Sequence, residues 1–225
     1  MNREKIVETL MNRGNELFSS PYSKIKFTGN EEADALLNSL NQFPHAFVLA
    51  CVMDRQMNAE RAWLIPYYIS QEISGFEFKR LLKLDLNFLK KIFKKGRYHR
   101  FNDIMAKNFY SAIRLIHTKY NDDASNIWKD NPKSATIVLR FLEFEGVGVR
   151  ISTMAANILA REFKIPMQDR ICIDISPDVH VKRVFRRIGF ISKHASTEEL
   201  IYCARELYPL YPGIFDFPTF EFGRK

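Results

Sequence analysis

The sequence predicts an all-α fold, and three observations predict it. Apolar residues recur at helical spacing through most of the chain, almost no stretch alternates with period two, and the breaks fall on Gly, Pro, Ser and Asn. The 225 residues, 46% of them hydrophobic, suffice for one large domain or two small lobes sharing a core. No apolar run approaches the roughly 18 residues of a membrane span. NREKIVETLMNRG after Met1 lacks the apolar centre of a secretory signal, so the expected location is the cytoplasm, at the nucleoid in a prokaryote. A net charge of +8 fits a polyanionic partner, although ribosomal and membrane-surface proteins share that property. Cys51, Cys172 and Cys203 are scattered singly in apolar surroundings, which suggests buried thiols rather than disulfides or a zinc site.

In chain order, residues 2–18 read as a helix on Ile6, Val7, Leu10, Leu17 and Phe18, followed by a Ser/Pro/Gly loop over 19–30. EEADALLNSLNQF opens on acids, as a helix N-terminus favours, and stops at Pro44. AFVLACVMDRQMNAERAWLI reads as one helix ending near Pro66. Helices follow at 67–73, 76–82 and 86–95, then the basic, aromatic break GRYHRF. Asn102–Tyr120 is amphipathic, with Ile104, Met105, Phe109, Ile113 and Ile116 on one face. Asn131-Pro132 and Ser134 introduce the next helix. KIPMQDRICIDISP is ambiguous and includes an extended reading, while Val179–Ile188 and Ser196–Tyr208 close the helical series.

The stretch from Leu139 to Phe190 organises the rest. Gly146 and Gly148 interrupt an apolar helical pattern that resumes at Ile151, Met154, Ala155, Ile158 and Leu159. Glycines at this spacing permit a tight turn with positive φ and a close approach of backbone to a ligand. The first amides of the following helix form an anion site, and in a basic chain the anion is a candidate nucleic-acid phosphate. A plain helix–turn–helix corner with a glycine cap accounts for the same pattern. About thirty residues on, Asp178 precedes His180, Lys182, Arg183, Arg186 and Arg187. Asp178 suits a helix N-cap, a position that holds a carboxylate in place; the cap and a chemical role are compatible. The basic residues serve either as phosphate contacts or as a solvated face.

Leu142–Ala155 (LEFEGVGVRISTMA) with Asp178–Arg187 (DVHVKRVFRR) resembles the helix-hairpin-helix DNA glycosylases, the superfamily of endonuclease III. Phe144-Glu145-Gly146-Val147-Gly148 matches the hairpin, Asp178-Val179-His180-Val181 the acid motif, and Arg187-Ile188-Gly189 the end of its helix. The resemblance implies two helical lobes with DNA bound at the cleft between them: a six-helix domain over 31–163, and a second lobe from 1–30 plus 164–225. It implies a monomer acting on double-stranded DNA that contains a lesion or mismatch, with no membrane partner. Gly146, Val147 and Gly148 would take a phosphate beside a monovalent or divalent cation held by the carbonyls of Leu142, Phe144 and Val147. Gln56 would sit beside the gap left by an extruded base, with Arg150, His180, Lys182 and Arg183 as further DNA contacts. Asp178 would be the catalytic carboxylate.

Three departures qualify the match. Glu145 replaces the hairpin proline and puts an acid near the expected phosphate. Arg150 occupies the position where lyase members carry a lysine; a guanidinium stays protonated and forms no Schiff base, so the expected activity is a monofunctional glycosylase. An insertion around Lys164–Ile175 makes Asp174 the alternative acid. FPTFEFGRK resembles the stretch that leads into an iron–sulfur cluster in many members, yet the three cysteines lack that spacing, so no cluster is expected in this chain. The rival reading is a non-catalytic DNA-binding protein that keeps the hairpin.

Overall fold

The computed structural model describes residues 3–224 and carries no strand among them. Thirteen α-helices are described, and the chain divides into two compact units.

Unit 2 comprises Lys24–Lys129 and Leu142–Val147. After α1 (Arg3–Ser19), which belongs to the other unit, it opens with α2 (Glu31–Asn38), capped by the Asn30 side chain on the Ala33 amide at 2.9 Å. At its centre lies α3 (Pro44–Met53), apolar on every face and buried at all ten positions, as a helix without a polar stripe must be. Packed around α3 are α2, α4 (Ala59–Trp63), α5 (Ile65–Glu72) and α8 (Asn102–Tyr120). Between them in sequence are the short α6 (Phe78–Leu81) and α7 (Leu86–Gly96), the latter laid on α8. The buried stripe of α8 is Met105, Ala106, Phe109, Ala112, Ile113, Ile116 and Tyr120. Ile104, expected on that face, is 55% exposed because it precedes the stripe by one residue, about 100° around the helix.

Unit 1 comprises Met1–Ser23, Asp130–Phe141 and Gly148–Lys225. It holds α1, α9 (Ser134–Leu142) to Phe141, α10 (Val149–Arg161), α11 (Val179–Arg187), α12 (Thr197–Leu207) and α13 (Asp216–Arg224). Nearly all of α10 is buried, including the polar Asn157, whose amide donates to the Gly213 carbonyl at 3.0 Å and bonds the Tyr211 hydroxyl. These ties hold α10 to the segment before α13.

Several elements differ from expectation. The helix predicted through residues 46–65 is two, because Asp54–Asn58 form a turn with Gln56 at φ +53° before Asn58 caps α4. The segment from Lys164 is irregular rather than extended, and it is pinned. The Gln168 amide donates to the Pro132 carbonyl at 3.1 Å, Asp169 accepts from the Ser134 hydroxyl, and Asp174 pairs with Arg205. The helix α13 has no counterpart in the expected elements. Of the cysteines only Cys51 is fully buried; Cys172 and Cys203 are half-buried. The predicted first-helix start at Asn2, and Lys225 at the end of FPTFEFGRK, lie outside the described residues.

Candidate active site

The hairpin begins where α9 ends. Phe144 is fully buried and stacks on Tyr120, ring centroids 6.3 Å apart, which anchors the turn in unit 2. The Val147 amide then donates to the Phe144 carbonyl at 3.0 Å, and Gly146 turns the chain at φ +87°. A Cβ on Gly146 would meet the Asn108 amide nitrogen at 2.3 Å and Arg55 at 3.4 Å, so the position has neither the conformational nor the steric room for a side chain. Gly146→Ala is therefore expected to cost about 1–3 kcal/mol of stability, read as a lower urea midpoint; an unchanged midpoint would refute the steric argument.

Gly148 differs. Its φ of −114° is ordinary extended backbone, and a Cβ there meets nothing within 4 Å. The protein's own packing does not demand this second glycine. It stands as N-cap of α10 without a side-chain cap. The hydroxyls of Ser152 and Thr153 turn back onto the carbonyls of Gly148 and Val149 instead.

Both acids of the hairpin are neutralised within unit 2. Glu143 accepts from Lys119 at 2.5 Å and from the Tyr120 hydroxyl at 2.7 Å. Glu145, the residue in the proline position, accepts from Lys107 at 2.7 Å and Ser111 at 3.1 Å. Those hydrogen bonds, the Lys107 one first, hold its carboxyl below the usual range. Its charge thus has a local cation beside it.

In unit 1, Asp178 caps α11. Its Oδ1 accepts from the amides of His180 at 2.8 Å and Val181 at 2.9 Å, and the side chain is half-buried. The Asp178 amide in turn donates to the Ser176 carbonyl at 2.8 Å, while the Ser176 amide donates to Asp216 Oδ1 at 3.3 Å. Asp216 is buried at the start of α13, where Asn157 Nδ2 donates to its other oxygen at 3.3 Å. Burial pushes this carboxyl up to about 7, opposed by the Arg161 charge and reinforced by nearby Asp178. Burial also pulls Arg161, which lies over the Phe217 ring, down to about 10, so it remains a cation near neutral pH. Asp174 is committed elsewhere: Arg205 grips both its oxygens, at 2.7 and 2.8 Å.

The bases of α11 divide. His180 Nδ1 and Arg183 Nη1 both reach the Gly223 carbonyl, at 3.0 and 2.9 Å, one of the last carbonyls of α13, which lack partners within the helix. Lys182 donates to the Thr197 hydroxyl at 3.0 Å. Arg186 and Arg187 are exposed. Gln56 is exposed on its turn, and its neighbour Arg55 lies against Gly146. Arg150 stands in the first turn of α10, where its carbonyl accepts from the Thr153 hydroxyl at 3.4 Å and the Ser176 hydroxyl at 3.5 Å.

This architecture is the helix-hairpin-helix glycosylase fold. Two solved structures of endonuclease III with DNA, one a trapped covalent intermediate and one a non-covalent complex, match it with TM-scores of 0.61 and 0.62. Each is 16% identical, and the match covers 100% of this chain and 87% of theirs. The 8-oxoguanine DNA glycosylase of Thermotoga maritima is more distant, with a TM-score of 0.48, 18% identity, and coverage of 97% of this chain and 89% of that one. No family model and no curated protein matches the sequence.

Proposed function

We propose that the chain is a DNA N-glycosylase of base excision repair that flips a damaged or mismatched base and hydrolyses its N-glycosidic bond. The observation that carries this reading is a half-buried aspartate, Asp178, fixed by two backbone amides at a helix start within the endonuclease III fold. A base inside a duplex is out of reach, so it must be rotated out at a cost of about a few kcal/mol. Cleavage develops positive charge on the sugar, and a fixed carboxylate facing that charge stabilises the transition state and orients a water. Both amides use Oδ1 of Asp178, so Oδ2 is the oxygen that would face the sugar. The commitment of Asp174 to Arg205 favours Asp178 over it as the acid.

The hairpin amides around Gly148 and the cation Arg150 would hold the strand, with Gln56 beside the vacated stack. Neutral carbonyl oxygens at Leu142, Phe144 and Val147 fit a hard cation. Such a cation would supply positive charge for a phosphate. With arginine at position 150 the enzyme forms no Schiff base and leaves the abasic strand intact.

The test is a set of oligonucleotides, each carrying one lesion or mispair, followed by borohydride treatment with abasic DNA. Base release from at least one, without covalent trapping, is expected. Efficient trapping would overturn the monofunctional assignment. Binding without release from any oligonucleotide would replace the enzyme by a DNA-binding protein.

A further inference from the structure

The net charge of this chain is concentrated in one place. Residues 78–101 contain nine Lys and Arg against one acid, Asp85, a net +8. The whole chain has 34 basic and 26 acidic residues, so 25 of each remain outside the segment and cancel. About one tenth of the sequence therefore carries the entire excess.

That segment folds as α6, α7 and the turn after them, in unit 2. On α7, Leu89, Ile92 and Phe93 are buried, whereas Lys90, Lys91, Lys94 and Lys95 occupy the opposite arc. At about 100° per residue the four lysines span about 140° of the helix, centred away from the core. Lys79 and Lys83 are exposed just before them, and Arg97, which caps α7 in the left-handed conformation, is exposed just after. Two of the lysines meet acids, Lys94 with Asp103 at 3.0 Å and Lys95 with Glu72 at 3.3 Å. Exposed pairs of this kind are weak and exchange readily for another anion.

We infer that the lysine face of α6 and α7 is a second contact surface for the phosphate backbone of double-stranded DNA, separate in sequence from the hairpin and blind to base identity. Three features select this partner. Six of the nine bases are lysine, a compact point charge suited to phosphate, whereas protein interfaces favour Arg and are depleted in Lys. Lys90 and Lys94, like Lys91 and Lys95, stand about 6 Å apart along the axis, close to two base-pair rises of about 3.4 Å on one strand. Insertion into a membrane requires an exposed apolar face, and the apolar face of α7 is already buried. The face extends the footprint on undamaged flanking duplex, where it would retain the protein by charge alone.

The experiment compares wild type with the triple variant Lys83→Gln, Lys90→Gln, Lys91→Gln, using an undamaged duplex of about 20 base pairs over a range of salt. Lys83 and Lys91 are exposed and Lys90 is half-buried on the arc away from the core, so the thermal midpoint should hold. The salt slope of log K is expected to fall by about 2–3, close to 0.9 for each phosphate no longer neutralised. Single-turnover base release at saturating protein is expected to stay within about twofold. An unchanged slope and affinity would overturn the inference, as would equal binding to polyglutamate or to phosphatidylserine vesicles. This outcome is independent of the enzymatic reading. A smaller slope without any base release keeps the surface and removes the enzyme, and release with an unaltered slope does the reverse.

Discussion

Replacing Asp178 by Asn is expected to slow base release by about 10²–10³-fold, the range seen when one preorganised electrostatic contact to a transition state is removed. Affinity for DNA and the unfolding midpoint should stay near wild type. The substitution separates two roles that one side chain holds. As an N-cap, Asp178 offers Oδ1 to the amides of His180 and Val181. Asparagine caps helices about as well as aspartate through the same kind of oxygen, so α11 keeps its start. What disappears is the negative charge. Asp178→Ala, by contrast, loses the cap as well and should cost about 1 kcal/mol of stability in addition to activity. If the Asn variant released bases as fast as wild type while the Ala variant merely unfolded more easily, Asp178 would be a structural cap and the chemistry would lie elsewhere.

The hairpin and the acid are legible in the sequence because each answers a local backbone demand. A turn at φ +87° asks for glycine at 146, and a helix beginning at Val179 asks for an oxygen at 178. The long amphipathic helix α8 and the wholly apolar α3 are legible for the same reason, since their patterns repeat within one element. The break at Asp54–Asn58 is obscured because its left-handed residue is Gln56 rather than a glycine. Asn58, which caps α4 through the Arg61 amide at 3.1 Å, is the available signal. The helix α13 escapes a pattern reading because Pro218 reads as a breaker, although proline is tolerated in a first turn. The partners that complete the site are out of reach for another reason. Asn157 meets Gly213 and Asp216 across 56 and 59 residues, and Asn108 meets Gly146 from a helix distant in sequence. No local period encodes such encounters. Packing creates them.

Asp216 carries the second large prediction. Its carboxyl, ordinarily near 3.8, is pushed up to about 7 by burial, so the folded protein holds this proton far more tightly than the unfolded chain. Stability from the protonated acid is complete below pH 3.8 and is lost as pH rises to about 7. Across that window the loss is about 4 kcal/mol at about 1.4 kcal/mol per pH unit. Four groups facing the acid set this balance: Arg161 favours ionisation, Asn157 and the Ser176 amide donate to it, and Asp178 opposes it. Asp216→Asn cannot ionise, so its stability relative to wild type should climb steadily from about pH 4 to about pH 7 and level off above. Urea unfolding of both proteins at several pH values measures the difference, and parallel profiles would show that Asp216 is ionised at no such cost. The oxygens of Asp216 join α10, through Asn157, to the segment that leads into Asp178, through the Ser176 amide. The Asn variant should therefore gain stability near neutral pH yet release bases more slowly than wild type, through a lower kcat at unchanged KM.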